Sequence, residues 1–459
     1  MKFEPKKYKI SKVTILGPGR SAVACAKLLA EKGFKVLISE RSSNEDFLKE
    51  KIKIKAGMMP IFVETGGHTK RIFDGNFAVK SPGIATNAPV IKKLKKAKIP
   101  IFSELEIALS YCPKAKLFAV TGTNGKTTVT AMLCEILKIQ YGKDKVVTAG
   151  NIGIALSGVI DKVKPSGKAA IEISSYQLED SKFFKPHIAC VLNITPDHTD
   201  HHGSMAKYIK AKEKIFASQT KKDFCIFNAD DKTVVKLSKK AKSKKLFFST
   251  KSDKYNACLK NGKIILKFKN KIYKLTPPNL PGSHNAENAM AAGLMAMAAN
   301  VKEDAIEKAF KKFKGVAHRM ENVGVLKGIR FINDSKATNV NSTLTALKAL
   351  DTDKKIWLIM GGLDKGSSYK VLAPLLKKKV KCIFTVGDAS NKIVRQLKGI
   401  CPIKKAVTIQ NAIKYCLKRA RRKDICLLSP SCASFDQFKN FEERGKAFKK
   451  TIAYYKKLS

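Results

Sequence analysis

The chain has 459 residues, enough for about three domains of roughly 150 residues each. Ninety Lys and Arg against 37 Asp and Glu give a formal net charge of +53, yet the lysines are scattered in runs such as "KKLKKAK" (92–98) and "KKAKSKK" (239–245). These runs lack interleaved aromatics, so they read as solvated faces and not as a nucleic-acid track. Eleven cysteines with no C-x-x-C pair argue against a disulfide framework or a zinc ribbon and for reduced thiols in the cytoplasm. No apolar run approaches the ~20 residues of a membrane helix. "AMAAGLMAMAA" (289–299) reads as a buried helix, and the N-terminus does not read as a signal peptide.

The first segment opens with a strand, "KVTILG" (12–17), a Gly-rich turn, a helical stretch and a second strand, "KVLISE" (35–40). Gly17, Gly19 and Ala22 stand in G-x-G-x-x-A spacing, and acidic Glu40 follows about 20 residues on, as in a dinucleotide-binding turn. Many βαβ units carry such a turn only for tight packing. "SPGI" (81–84) closes another strand, "FAVK", and Ser103 with Glu106 spells a helix capping box. A domain boundary is placed there, giving a first domain over 1–103 and a second over 104–315.

The second segment alternates strands and helices, the pattern of a parallel α/β sheet. Strand "KLFAV" runs into "TGTNGKTT" (121–128) and a helix, followed by strands at 168–174, 188–195 and 223–228. Residues 254–275 alternate apolar and polar side chains around Asn261-Gly262, which predicts one antiparallel hairpin at the sheet edge. A long Ala/Met-rich helix is expected to close the segment near residue 312. The third segment, 316–459, repeats the rhythm with strands at 330–334, 355–362, 381–388 and 424–431. Each runs into a polar or Gly-rich loop, "NDSKATN", "GGLDKG" or "SPSCASFDQ", at the strand end where open α/β sheets bind ligands.

"TGTNGKTT" carries the strongest chemical signal. Backbone N–H groups of a Gly-rich strand-to-helix turn point at phosphate oxygens. Gly122 and Gly125 supply the permissive backbone, Lys126 reaches the β- and γ-phosphates, and the Thr127 hydroxyl can hold Mg²⁺. The loop departs from G-x-x-x-x-G-K-[ST] at its first position, which is Val120. Glu172 lies on the buried strand "AAIEIS", where an unpaired carboxylate is costly; a cation or a salt bridge would each relieve it. "NITPDHTDHH" (193–202) gathers three of the seven histidines and two aspartates, which raises the question of a metal site.

In order along nearly the whole chain, "TGTNGKTT", "GNIG", "EISSYQLE", "LNITPDHTD", "YIKAKEKIF", "GSHNAENAMAA", "HRME" and "NDSKATN" resemble the motifs of the Mur ligases of peptidoglycan synthesis. "LSPSCASFDQFKNFEERG" (428–445) is similar to the C-terminal signature of the members that add D-glutamate. The resemblance implies three α/β domains. The first is Rossmann-like and binds a UDP-linked substrate, and the second is a P-loop ATPase-type parallel sheet with a small antiparallel edge. The third is Rossmann-like and binds the amino acid. It implies an ATP-dependent ligase that joins D-glutamate to UDP-N-acetylmuramoyl-L-alanine through an acyl phosphate.

For ATP the resemblance points to Gly122, Thr123, Asn124, Gly125, Lys126, Thr127 and Thr128 of the loop, with Asn285 and Asn288 at the adenine. Arg319 and Asp334 would hold the nucleotide from the third domain, completing the site when domains close. Lys126, Glu172, His198 and Lys212 carry the catalytic roles. It implies two Mg²⁺ ions, one on Thr127 and Glu172, the other shared by His198 and Lys212, the latter as a carbamate; Lys210 and Lys214 are the neighbouring alternatives. Ser21, Glu40, Gly83, Asn151, Ser174 and Gln177 match contacts to the UDP substrate, and Lys336, Thr338, Lys365, Ser434 and Phe441 match contacts to D-glutamate. His318 is expected to be structural. Of the histidine cluster only His198 falls on a metal position; His201 and His202 are expected to face solvent, and Asp200 to orient the loop. The implied partners are small molecules, with no nucleic acid, no membrane insertion and a monomeric enzyme. The alternatives are another Mur ligase, a folylpolyglutamate synthase-like ligase, or a basic nucleic-acid-binding P-loop ATPase.

Overall fold

The computed structural model describes residues 3–8, 11–17, 19–43, 58–112, 115–151, 153–280 and 282–458. Three sheets organise it. The first is wholly parallel, with the strands Ile61–Glu64, Lys35–Ser39, Lys12–Leu16, Phe77–Lys80 and Ile101–Ser103 in that spatial order. Helices cover such a sheet, so its strands are near-continuous apolar runs and not alternating ones. Strand order reverses between Lys12–Leu16 and Phe77–Lys80, which places a crevice at their carboxyl ends, where Gly17 and Ser81 lie side by side. The capping box read from the sequence is present: Glu106 N donates to Ser103 Oγ at 3.2 Å and Ser103 N to Glu106 Oε2 at 3.3 Å.

The second sheet has nine strands. Its parallel part contains Lys244–Ser249, Phe224–Asn228, Ile188–Val191, Lys116–Thr121, Lys168–Glu172 and Val146–Gly150 in spatial order. At the edge, the expected single hairpin is a three-stranded meander, Ala257–Lys260, Lys263–Phe268 and Lys271–Leu275. The first turn is Asn261-Gly262, both at positive φ. The second is also a two-residue turn, but Lys269 carries the positive φ there, without the glycine that would have marked it in sequence. The long helix expected to reach residue 312 is two helices, His284–Ala298 and Glu303–Lys312, separated at Asn300, which takes a left-handed φ of 62°. Met290 and Met295 are fully buried, so the Ala/Met run is core.

The third sheet orders Glu321–Leu326, Ile329–Asn333, Ile425–Leu428, Ile356–Gly361, Val380–Val386 and Ile403–Val407, parallel except for the first strand. Edge strands such as Ile403–Val407 carry lysines and lack the apolar run that marks the central ones. The chain divides into two compact units, one of residues 1–277 and 287–312 holding the first two sheets, the other of 278–286 and 313–459 holding the third. Within the first unit the two sheets share one apolar core running from Phe3 and Leu29 to Leu156 and Phe227. A buried ion pair, Lys80 Nζ to Asp180 Oδ2 at 2.7 Å, also joins them. All eleven cysteines are free thiols. Among the described residues no helix is long and apolar enough to cross a membrane.

Candidate active site

The phosphate loop is held by contacts that the sequence does not advertise. Strand Lys116–Thr121 delivers the loop, and Gly125, left-handed at φ 87°, starts the helix Lys126–Tyr141. Asn193 grips the loop from the neighbouring strand end: its Oδ1 accepts from Asn124 N at 2.8 Å and its Nδ2 donates to Asn124 O at 3.2 Å. Thr123 is locked twice, accepting from Thr195 N at 3.0 Å and lying 3.0 Å from the Tyr208 hydroxyl. The loop backbone is thereby fixed in shape, as a phosphate cradle requires, with the Thr123 and Asn124 amides committed to Asn193. Lys126 Nζ donates to the carbonyls of Gly122 and Thr123 at 2.9 and 2.8 Å, so its charge is held over the loop. Thr128 is buried behind it, and Asn288 lies against it, its Oδ1 being 2.5 Å from where a Cβ on Gly125 would stand.

Glu172 resolves toward this loop. It is 3% exposed; Thr127 Oγ1 donates to its Oε2 at 2.6 Å and Asn151 Nδ2 to its Oε1 at 3.2 Å. A hydroxyl and a buried carboxylate beside a phosphate loop are the hard oxygen donors that Mg²⁺ selects. Of the three candidate lysines, Lys210 is exposed, Lys214 donates to Glu179 O, and Lys212 reaches the loop. Lys212 Nζ donates to Gly122 O at 2.9 Å. Burial, and then the Lys126 charge, hold its amine well below the ordinary lysine range. His198 sits at a positive φ of 54°, with Nδ1 3.0 Å from the Tyr176 hydroxyl and Nε2 3.6 Å from Asp197.

The expected exposure of His201 and His202 is wrong. His202 is 4% exposed, with Nε2 3.0 Å from Ser175 Oγ, and His201 Nε2 lies 2.9 Å from Glu179 Oε2. The cause is Tyr176, whose ring draws both histidines inward, with centroids 4.1 Å from His201 and 5.5 Å from His202. The Asp200 side chain and Ile152 of "GNIG" lie outside the described residues.

The residues matched to the UDP substrate divide into two groups. Asn151, Ser174 and Gln177 cluster near Glu172; Ser174 and Gln177 form a reciprocal capping box on the short helix Ser175–Glu179. Ser21, Glu40 and Gly83 lie in the helix and loops that follow strands of the first sheet. Ser21 lies on the first turn of the helix Arg20–Glu31, Gly83 is exposed after strand Phe77–Lys80, and Glu40 Oε1 accepts from Ser42 N at 2.9 Å.

Glu287, one residue before Asn288, carries no signal in the sequence. Burial, with Asp230 next, pushes its carboxyl from 4.5 up to about 7. A carboxyl raised on folding contributes stability that is complete below its unfolded value and lost as pH rises through the folded one. Glu287→Gln is therefore expected to match the parent near pH 4.5 and to exceed it at pH 8 by about 3 kcal/mol. Urea unfolding at the two pH values checks this, and an equal difference at both removes the assignment.

In the second unit, Asp334 is 3% exposed, and burial raises its carboxyl to about 6 against the lowering pull of Arg319. Ser429 Oγ and Met320 N donate to it at 2.9 and 3.2 Å. Lys336 Nζ lies 5.6 Å from the Phe441 ring centroid, and Ser434 is buried. Thr338 N donates to Lys336 O at 2.9 Å, while Lys365 is exposed on the loop after Ile356–Gly361. That loop is tied to the Ser434 loop by Leu363 N donating to Ala433 O at 3.0 Å. Arg444 was not expected. Its guanidinium, 2% exposed, donates to Ser335 Oγ, Ser335 O, Cys432 O and Ala433 O at 2.8–3.1 Å. It thus clamps the loop bearing Lys336 to the loop bearing Ser434. His318 is enclosed, its Nδ1 3.0 Å from Asn333 Nδ2, and burial keeps its imidazole below the ordinary range. Both facts suit a neutral, structural histidine.

Comparison with known proteins covers nearly the whole chain. The model of the Mur ligase middle domain matches residues 120–296, and that of the Mur ligase glutamate ligase domain matches 318–432. A protein of Elusimicrobium minutum named UDP-N-acetylmuramoylalanine–D-glutamate ligase is 50% identical over 97% of this chain and 98% of its own length. One of the same name from Koribacter versatilis is 40% identical over 96% of this chain and 97% of its own. Among solved structures, the UDP-N-acetylmuramate–alanine ligase of Thermotoga maritima superposes with a TM-score of 0.63 at 21% identity, covering 98% of this chain and all of its own. A pseudomurein peptide ligase of Methanothermus fervidus gives a TM-score of 0.61 at 18% identity, covering 97% of this chain and all of its own. These two likenesses speak to the fold alone.

Proposed function

The chain belongs to the Mur ligase family, and we propose that it joins D-glutamate to UDP-N-acetylmuramoyl-L-alanine, driven by ATP, in the cytoplasmic stage of peptidoglycan synthesis. The observation that carries the reading is the convergence of Thr127, Glu172 and Lys212 on one phosphate loop, in a chain half identical to a ligase of that name. The alanyl carboxylate oxygen attacks the γ-phosphorus and ADP leaves. The D-glutamate amine then attacks the acyl carbon, and phosphate leaves as the amide forms and the amine proton is lost.

Two anions meet in the first step, so positive charge must be fixed beforehand. Lys126, the Gly125, Thr127 and Thr128 amides at the helix start, and the loop residues Gly122, Thr123 and Asn124 hold the triphosphate, and Asn285 and Asn288 hold the adenine. Arg319 and Asp334 are assigned to the nucleotide as well. Mg²⁺, when bound to Thr127 and Glu172 and to His198 and Lys212, would neutralise phosphate charge. Lys212 serves as a carbamate in this reading. Its buried amine, held well below the usual range, is available neutral to add CO₂ with loss of a proton, and the product is an anionic oxygen ligand. Ser21, Glu40, Gly83, Asn151, Ser174 and Gln177 orient the UDP substrate. Lys336 and Lys365 pair with the two carboxylates of D-glutamate, with Thr338, Ser434 and Phe441 shaping its site.

A phosphate-release assay with the UDP substrate and a panel of amino acids tests this. Release is expected only when D-glutamate is present, with L-lysine, diaminopimelate and L-glutamate slower by on the order of 10³-fold. Comparable turnover with any of these sinks the assignment.

A further inference from the structure

We infer that Glu179, His201 and His202 form a binding site for a transition-metal dication of the Zn²⁺ or Co²⁺ class, separate from the Mg²⁺ donors of the phosphate loop. One donor atom from each residue lies within 4.8 Å of the other two. Glu179 Oε2 stands 2.9 Å from His201 Nε2 and 4.0 Å from His202 Nδ1. Metal–nitrogen bonds of ~2.0–2.1 Å in tetrahedral geometry set donors about 3.3 Å apart, so small side-chain rotations close the triangle.

Three further features suit a metal. The far nitrogen of His202, Nε2, is 3.0 Å from Ser175 Oγ, the kind of outer hydrogen bond that orients an imidazole ligand and turns its other nitrogen to the ion. The Tyr176 ring packs against both imidazoles and fixes their planes. The Glu179 side chain is 25% exposed, against 10% and 0% for the two histidines, which leaves a solvent path and a fourth position for water. Two imidazoles and one carboxylate favour a borderline metal over Mg²⁺, which takes oxygen. The ion would staple the helix Ser175–Glu179 to the His201–His202 turn.

Titration of the full chain with Co²⁺ in excess Mg²⁺, followed by visible absorption, tests the site. One equivalent with the intense bands of a four-coordinate ion is expected, displaced by Zn²⁺ and retained in His198→Ala. His201→Gln and Glu179→Gln are each expected to weaken binding by at least ~10²-fold. In parallel, Zn²⁺ should raise the unfolding temperature of the parent and not of either variant. Absence of the bands in the parent, their persistence in both Gln variants, or their loss in His198→Ala overturns the proposal. The metal-free unfolding midpoint shows whether each variant is folded, and either folded variant suffices.

Discussion

Lys212→Ala is expected to lower the ligation rate by about 10³-fold while leaving the chain folded. In the structure Lys212 is buried against Gly122 O, beside Lys126 and within the field of Glu172 and Asp197. A lysine used only for packing would lose little activity on truncation. A lysine that presents a carbamate would lose a metal ligand at the centre of the phosphoryl step, and small carboxylates diffusing into the vacated space would restore part of the rate. The measurement is turnover of Lys212→Ala with and without acetate or propionate, together with parent turnover in buffer stripped of CO₂. Near-parental rates in the variant, or a deep loss that no carboxylate relieves and that CO₂ depletion does not mimic, would remove the carbamate.

Gly150→Ala is expected to act through the backbone. Gly150 pairs with Glu172 across two parallel strands and holds φ at 124°, and a Cβ there would stand 2.0 Å from Glu172 O. No side chain can rotate to relieve that overlap, because the obstructing atom is the main chain of the neighbouring strand. Strain at such a φ and overpacking together imply a loss of about 3 kcal/mol or more. Displacing Glu172 also separates it from Thr127, so activity should fall further than the folded fraction does. Urea unfolding gives the first quantity through the midpoint at constant m, and turnover at a temperature where the variant is folded gives the second. An unchanged midpoint would show that the strands shift freely, and the rigidity assigned to Glu172 would then be wrong.

How far the sequence revealed this site depends on how local each feature is. The phosphate loop was legible because strand, glycines, lysine and threonines are contiguous, and a buried strand in front of Gly-Lys-Thr-Thr has few other uses. Glu172 was legible as a problem, a carboxylate on a buried strand, but its resolution toward Thr127 depends on a partner 45 positions away. Arg444 was illegible. Four acceptors from two distant loops surround it, and nothing beside it in the chain announces that. The histidines were misread for a related reason. His201 and His202 are polar and sit in a polar run, but Tyr176 lies across from them, and aromatic contact outweighed local polarity. The edge meander shows the same limit in the backbone, since Lys269 takes a turn conformation for which the sequence offers no glycine.

His318 and Gly445 restrict how this chain can vary. A Cβ on Gly445 would stand 2.1 Å from His318 Nδ1, so the imidazole occupies the volume that any side chain at 445 would need. The two positions, 127 residues apart in the chain, therefore behave as a single site under substitution. Gly445 admits no replacement while His318 stays, and shrinking His318 alone leaves a gap beside Asn333. Any lineage that alters one must pass through an overfilled or hollow intermediate before the other changes, which makes the pair a historical lock on the sequence of this unit.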